Sequence, residues 1–155
     1  MVEGKSKTLK DYDEEEELQK RVDEMIHRNA KGEVCFPTSG FKKAMVEASP
    51  YHSHLSKGDT KGGFFIIGDL VPIKYKKQST IRFFGINFGR EKTKRLMRYP
   101  SFENWNCILT IKYNSQRITE KDLIELANLA GFHIGVGSWT PQHGGQYGMF
   151  TVATA

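Results

Sequence analysis

Cysteine is scarce: Cys35 and Cys107 are the only two among 155 residues. Both sit inside apolar runs, where a thiol acts as a small hydrophobe, and without CxxC spacing they offer neither a structural zinc site nor a disulfide framework. That scarcity suits a reduced, intracellular setting. Long apolar runs are also missing. Nothing approaches the roughly 20 consecutive apolar residues of a membrane span, and the polar start Met-Val-Glu-Gly-Lys-Ser-Lys has no apolar h-region. The sequence therefore predicts a soluble chain with no membrane partner. It also lacks an assignable Ser-His-Asp, Cys-His or paired-carboxylate arrangement, and no cofactor motif is complete. Gly135-Val-Gly137 has neither the third glycine nor the following helix of a dinucleotide-binding turn.

What is present is charge, and its two signs are segregated behind a net +5. Residues 11 to 24 hold eight carboxylates against Lys20 and Arg21, while residues 70 to 99 hold nine basic side chains against Glu91 alone. The basic set is Lys74, Lys76, Lys77, Arg82, Arg90, Lys92, Lys94, Arg95 and Arg98. Such a concentration attracts polyanions, and each phosphate neutralised releases counterions. The same window supplies Tyr75, Phe83, Phe84, Phe88 and Tyr99 as stacking surfaces for single-stranded RNA or DNA. The alternative is a solvated basic face with no dedicated partner.

The length suits one domain. Residues 1 to 10 read as a disordered lead and 11 to 155 as a single α+β domain, with a mobile basic arm at about 74 to 98. Asp11 to Arg28 reads as a helix with Leu18, Val22, Met25 and Ile26 on one stripe, its acidic start suited to the positive end of the helix dipole. Glu33 to Phe36 is a strand ended by Pro37. Thr38 or Ser39 then caps a helix to Ala48, with Phe41, Ala44, Met45 and Ala48 inward and Lys42 and Lys43 outward. Residues 49 to 63 read as a mobile loop. Phe64 to Ile67 and Leu70 to Tyr75 are short strands flanking Gly68-Asp69, and Pro72 puts the second at an edge or bulge. Ile81 to Arg90 reads as a strand or an extended loop.

Cys107 to Tyr113 alternates as a strand. Thr119-Glu-Lys-Asp122 matches a capping box loosely, Leu123, Leu126, Ala127 and Ala130 form the buried stripe, and Gly131 is placed to stop the helix. Phe132 to Trp139 reads as the next strand, and Tyr147 to Val152, after a Gly144-Gly145 turn, as the last. A strand-helix-strand unit of this length is a crossover, so the fold class expected is a ferredoxin-like, split β-α-β sandwich.

The glycines at 135 and 137 leave one strand face bare, which favours close packing of a helix. His52 and His54, at i and i+2, have the spacing of two metal ligands on an extended chain, but no third ligand is evident in sequence, so they read as a solvated loop pair and no metal is assigned. His133 reads as a hydrogen-bonded histidine. His143 lies in an aromatic-bracketed loop, Trp139 to Tyr147, where contact with a base or phosphate competes with a plain turn. A small metal-independent RNase would have to draw on His143 with Tyr147 or Lys42.

Five stretches together carry a resemblance: Phe36-Pro-Thr-Ser-Gly-Phe-Lys-Lys-Ala-Met-Val46, Gly68-Asp-Leu-Val-Pro-Ile73, Arg98-Tyr-Pro-Ser-Phe-Glu-Asn-Trp105, Leu129 to Pro141, and Gly145-Gln-Tyr-Gly-Met-Phe150. Over roughly residues 33 to 152 the chain resembles a family of hypothetical proteins of bacteriophages and prophages. The Phe36 to Lys43 stretch is similar to the proline-serine turn and basic helix of the RAMP superfamily, the ferredoxin-like subunits that coat guide RNA in CRISPR effector complexes. The resemblance implies RNA-backbone binding, assembly of copies along a strand, and action in the host cytoplasm. It also allows an anti-defence, anti-CRISPR-like role in which the protein occupies a place in a host defence complex. The contact surface expected is Lys42, Lys43, the basic arm, Trp139, His143 and Tyr147, with no catalytic residue.

Overall fold

The computed structural model describes residues 9–86 and 94–153, with side chains described for 16–82 and 98–153. In chain order the elements are α1 (Leu9–Glu24), β1 (His27–Arg28), β2 (Val34–Pro37), α2 (Thr38–Glu47), α3 (Lys57–Gly63), β3 (Phe64–Ile66), β4 (Leu70–Pro72), β5 (Lys77–Ile86), β6 (Lys94–Glu103), β7 (Ile111–Tyr113) and α4 (Glu120–His133). Single 3-10 turns lie at Ser49–Tyr51 and Pro141–His143. The class is α+β, as expected, with small antiparallel sheets. The chain divides into two compact units, Met1–Val34 with Lys74–Asn106, and Cys35–Ile73 with Cys107–Ala155. No helix among the described residues is long and apolar enough to cross a membrane.

In the first unit α1 ends at Glu24, four residues before the expected boundary at Arg28. His27–Arg28 take up strand β1 instead, and Asn29 orders the turn after it: its side-chain oxygen accepts the amides of Lys31 and Glu33, and Gly32 at φ 78° turns the chain back. A short amide side chain that satisfies local backbone donors competes with helix continuation. Of the expected stripe only Val22 is buried, while Leu18 and Met25 are largely exposed. The basic region forms a ladder of ten residues on each side, running from Lys77 opposite Glu103 to Ile86 opposite Lys94. Its base is closed where Lys74 and Asn106 exchange amide hydrogen bonds of 2.9 and 2.8 Å. Strand β6 runs straight through Tyr99-Pro100, past the expected arm boundary at about 98. In a two-stranded ladder one edge of each strand faces no partner, and Pro100 is tolerated there.

In the second unit Pro37, at φ −63° and ψ 127°, closes β2, and α2 begins at the next residue. Pro37 itself holds the N-cap position and no side chain caps the helix. Thr38, expected to cap, donates its hydroxyl to the carbonyls of Gly68 and Asp69 at 2.6 and 3.2 Å. The buried face of α2 is the predicted one, Phe41, Ala44 and Met45 with Ala48 beyond it, and it packs on α4. Phe41 meets the rings of Phe36 and Phe150 edge-on at 5.5 and 5.6 Å. The strands around Gly68-Asp69 separate to different partners: β4 pairs with β2, and β3 pairs with β7. Pro72 lies on β4, opposite Cys35.

Residues 49 to 63 are more ordered than the composition suggested. A 3-10 turn is followed by α3, whose start is closed by a reciprocal box between Ser56 and Asp59. The Thr119 box also closes, since Asp122 reaches back to the Thr119 amide at 3.1 Å despite its short side chain. Several expectations about the last third fail. Strand character between 107 and 113 is confined to β7, and Ile108 is 86% exposed. Helix α4 passes through Gly131 to His133. Gly131 is there for a close approach: a Cβ would lie 1.8 Å from the Phe150 carbonyl oxygen.

No strand forms between 132 and 153 among the described residues. Gly135 and Gly137 have φ of 76° and 88°, and Trp139 has 52°, values that a strand does not adopt. The chain folds back on itself instead, with the Val136 amide on the Gly148 carbonyl and the Tyr147 amide on the Trp139 carbonyl. The bare face of Gly135 meets Pro141 and Thr140 of this returning limb, where a helix was expected.

Candidate nucleic-acid interface

Register decides which charges of the arm share a face. Side chains directly opposite in an antiparallel ladder lie on the same side, and alternate rungs alternate faces. Arg82 is opposite Arg98, Thr80 opposite Pro100 and Gln78 opposite Phe102, so these six share one face. The other face carries Lys77 with Glu103, Ser79 with Ser101 and Ile81 with Tyr99. Tyr75 extends the first face, packing edge-on against Phe102 with ring centroids 4.8 Å apart. Two guanidinium residues on one rung and an aromatic pair that begins four rungs away thus occupy a single surface. Like charges directly opposite destabilise a ladder.

Lys74, Lys76, Lys77 and Arg82 are exposed, and among the described residues no ion pair joins any of these four to an acid of α1. Lys77 is the one whose ladder partner is acidic. Lys94 and Arg95 lie on β6, and Arg90, Lys92 and Phe88 fall outside the described residues. Of the proposed stacking residues, Tyr75 stands on the Arg82 face and Tyr99 on the opposite one. Phe102 was missed because it lies beyond the basic window; continuing the alternation past Pro100 would have found it.

The remaining candidates belong to the second unit. Lys43 is exposed, as expected. Lys42 is not outward: its Nζ donates to the carbonyls of Thr60 (2.9 Å) and Phe64 and lies 3.6 Å from the Phe64 ring centre. Burial holds its pKa below the usual lysine value. This ammonium seals the junction of α3 and β3, and the RNase pairing of His143 with Lys42 loses its basis. Trp139 and Tyr147 face one another across the folded-back loop, 41% and 43% exposed, with exposed His143 in the turn between them.

The histidines of the 49–56 segment also differ from expectation. His54 is exposed, but the ring of His52 is fully enclosed and its Nε2 finds no hydrogen-bond partner. The third ligand absent from the local sequence comes from α4: Asp122 Oδ1 lies 3.2 Å from His54 Nε2 and 3.7 Å from His52 Nε2. Below the ordinary carboxylate range, the Asp122 pKa is held down first by its hydrogen bond from the Thr119 backbone. Stacked on Tyr51 at 3.9 Å, His133 is partnered by a ring.

No protein-family profile, curated protein or solved structure matches the chain.

Proposed function

We propose that the protein binds single-stranded nucleic acid, RNA or DNA, without catalysing a reaction on it. Backbone phosphates are held by the arm, and unstacked bases lie against its aromatic pair. The observation that carries this reading is the shared face of Arg82 and Arg98 with Tyr75 and Phe102. Cations that track phosphates beside rings that accept any base are the two parts of sequence-tolerant strand binding. Lys43 and the Trp139, His143 and Tyr147 loop form a second candidate contact on the other unit.

The phage and RAMP-like likeness belongs to the same proposal. What supports a ferredoxin-like relationship is the succession β2, α2, β3, β7 and α4, with β3 and β7 antiparallel neighbours, interrupted by α3 before β3 and by β4 and the arm after it. That is the order of the first five elements of a β-α-β-β-α-β fold. On this reading copies assemble side by side along a strand in the host cytoplasm, each presenting its arm to the same backbone.

The test is a titration with labelled single-stranded oligonucleotides of unrelated sequence at two salt concentrations. Binding should fall steeply with salt and vary little with sequence. Affinity that is insensitive to salt, or unchanged in an Arg82→Ala/Arg98→Ala double variant, overturns the assignment.

A further inference from the structure

His52 is buried without being satisfied. Its ring is 0% exposed, and Nε2 points at two carboxylates, Glu125 Oε2 at 3.4 Å and Asp122 Oδ1 at 3.7 Å. Ordinary hydrogen bonds from nitrogen to oxygen run at about 2.7–3.2 Å, so both distances are too long for one. They suit something else. For ligand bonds of about 2.0–2.1 Å in a tetrahedron, neighbouring donor atoms stand ~3.3 Å apart. The observed separations of 3.2, 3.4 and 3.7 Å bracket that edge.

We propose that His52, His54 and Asp122 bind one divalent transition-metal ion of the zinc class, with Glu125 as the fourth donor. Donor atoms of the first three residues all lie within 4.8 Å of one another. Two imidazoles with carboxylate oxygens favour zinc-like ions over calcium or magnesium, which take oxygen alone. The carboxylate of Asp122 is already aimed. Its Oδ2 accepts the Thr119 amide at 3.1 Å in the helix cap, which leaves Oδ1 turned to the histidines. A ligand oriented by a second hydrogen bond is the usual support of such a centre. His54, 61% exposed on its side chain, gives the ion a path from solvent. Once bound, the ion ties the 52–56 segment to the first turn of α4.

One contact opposes binding and makes the proposal sharper. His52 Nδ1 accepts the amides of His54 and Leu55, both at 3.3 Å, which places the hydrogen of the neutral ring on Nε2. Coordination through Nε2 moves that hydrogen to Nδ1, so the ring stays neutral and the two amides must turn away. Both bonds are already at the long limit, and breaking them is a small loss against a new metal–nitrogen bond. The amides of His54 and Leu55 should therefore report loading directly.

The experiment is a zinc titration of the full chain in competition with a chromophoric chelator, with cobalt(II) as a spectroscopic stand-in. Expected are one ion per chain at micromolar zinc or below, tetrahedral cobalt bands, and large shifts of the His54 and Leu55 amide resonances. His54→Ala, at an exposed side chain, should keep its circular dichroism spectrum and lose more than about tenfold in affinity. Asp122→Asn should lose at least as much, but it also alters a helix cap, so His54→Ala decides. Absence of stoichiometric binding by the wild type overturns the proposal. So does binding that His54→Ala leaves intact, since the ion would then be held elsewhere on the chain.

Discussion

Arg82 and Arg98 occupy the same rung of the β5–β6 ladder, on the same face. Like charges directly opposite one another repel across a ladder, and a glutamate at position 82 would replace that repulsion with attraction. The consequence is an opposed pair of effects. Arg82→Glu should raise the thermal stability of the arm by about 0.2–1 kcal/mol by removing the like-charge repulsion, while lowering affinity for single-stranded oligonucleotides. Calorimetry and a binding titration on the same sample read both. A variant that loses stability and keeps affinity contradicts the interface.

Each arginine should also contribute its own share of salt dependence. For single strands the slope of log affinity against log salt changes by about 0.7 per phosphate neutralised. Arg82→Ala and Arg98→Ala should each flatten it by about that amount, with similar losses across unrelated sequences.

Lys42 and Lys43 are adjacent yet should respond differently. Lys43→Ala should leave the melting temperature unchanged. Lys42→Ala removes a donor from the Thr60 and Phe64 carbonyls and should destabilise by about 1–2 kcal/mol. Differential scanning calorimetry distinguishes the two, and equal melting temperatures would show that the Lys42 contacts carry no stability.

Gly131→Ala reverses a general rule. Alanine in a helix interior is ordinarily better than glycine by about 0.8–1.0 kcal/mol. Here its methyl group would meet the Phe150 carbonyl at 1.8 Å, so the variant should melt lower than the wild type. A higher melting temperature would mean that the 150 segment does not dock on α4.

Acid should weaken both capped helices. Asp59 and Asp122 have pKa values lowered chiefly by backbone hydrogen bonds, from Ser56 and Thr119 respectively. A carboxylate whose folded pKa is depressed contributes stability above its unfolded pKa and loses it as pH falls through the folded value. Stability should thus decline below the usual carboxylate range, and Asp59→Asn/Asp122→Asn should flatten that decline in urea melts taken across acid pH.

The sequence revealed features set by local chemistry. The inward face of α2 follows from periodicity, and the Thr119 box was visible even with aspartate in place of glutamate. Helix α3 was hidden because Lys-Gly-Asp-Thr-Lys-Gly-Gly has almost no helix propensity and relies on the Ser56 cap and buried Thr60. The alternating pattern of 132 to 139 imitated a strand, yet glycines at every second position permitted the positive φ angles that preclude one. In the candidate interface the cations were legible, while the face that Arg82 and Arg98 share depended on register. Asp122 was invisible as a companion of His52 and His54 because only the fold brings it there.

The paired amides of Lys74 and Asn106 make the exit and re-entry of the arm neighbours in space. An excursion pinched off at its root can be lengthened, trimmed or exchanged without shifting the register of β2 with β4 or of β3 with β7. Reach along a polymer can therefore drift through evolution, or be engineered, as an independent variable.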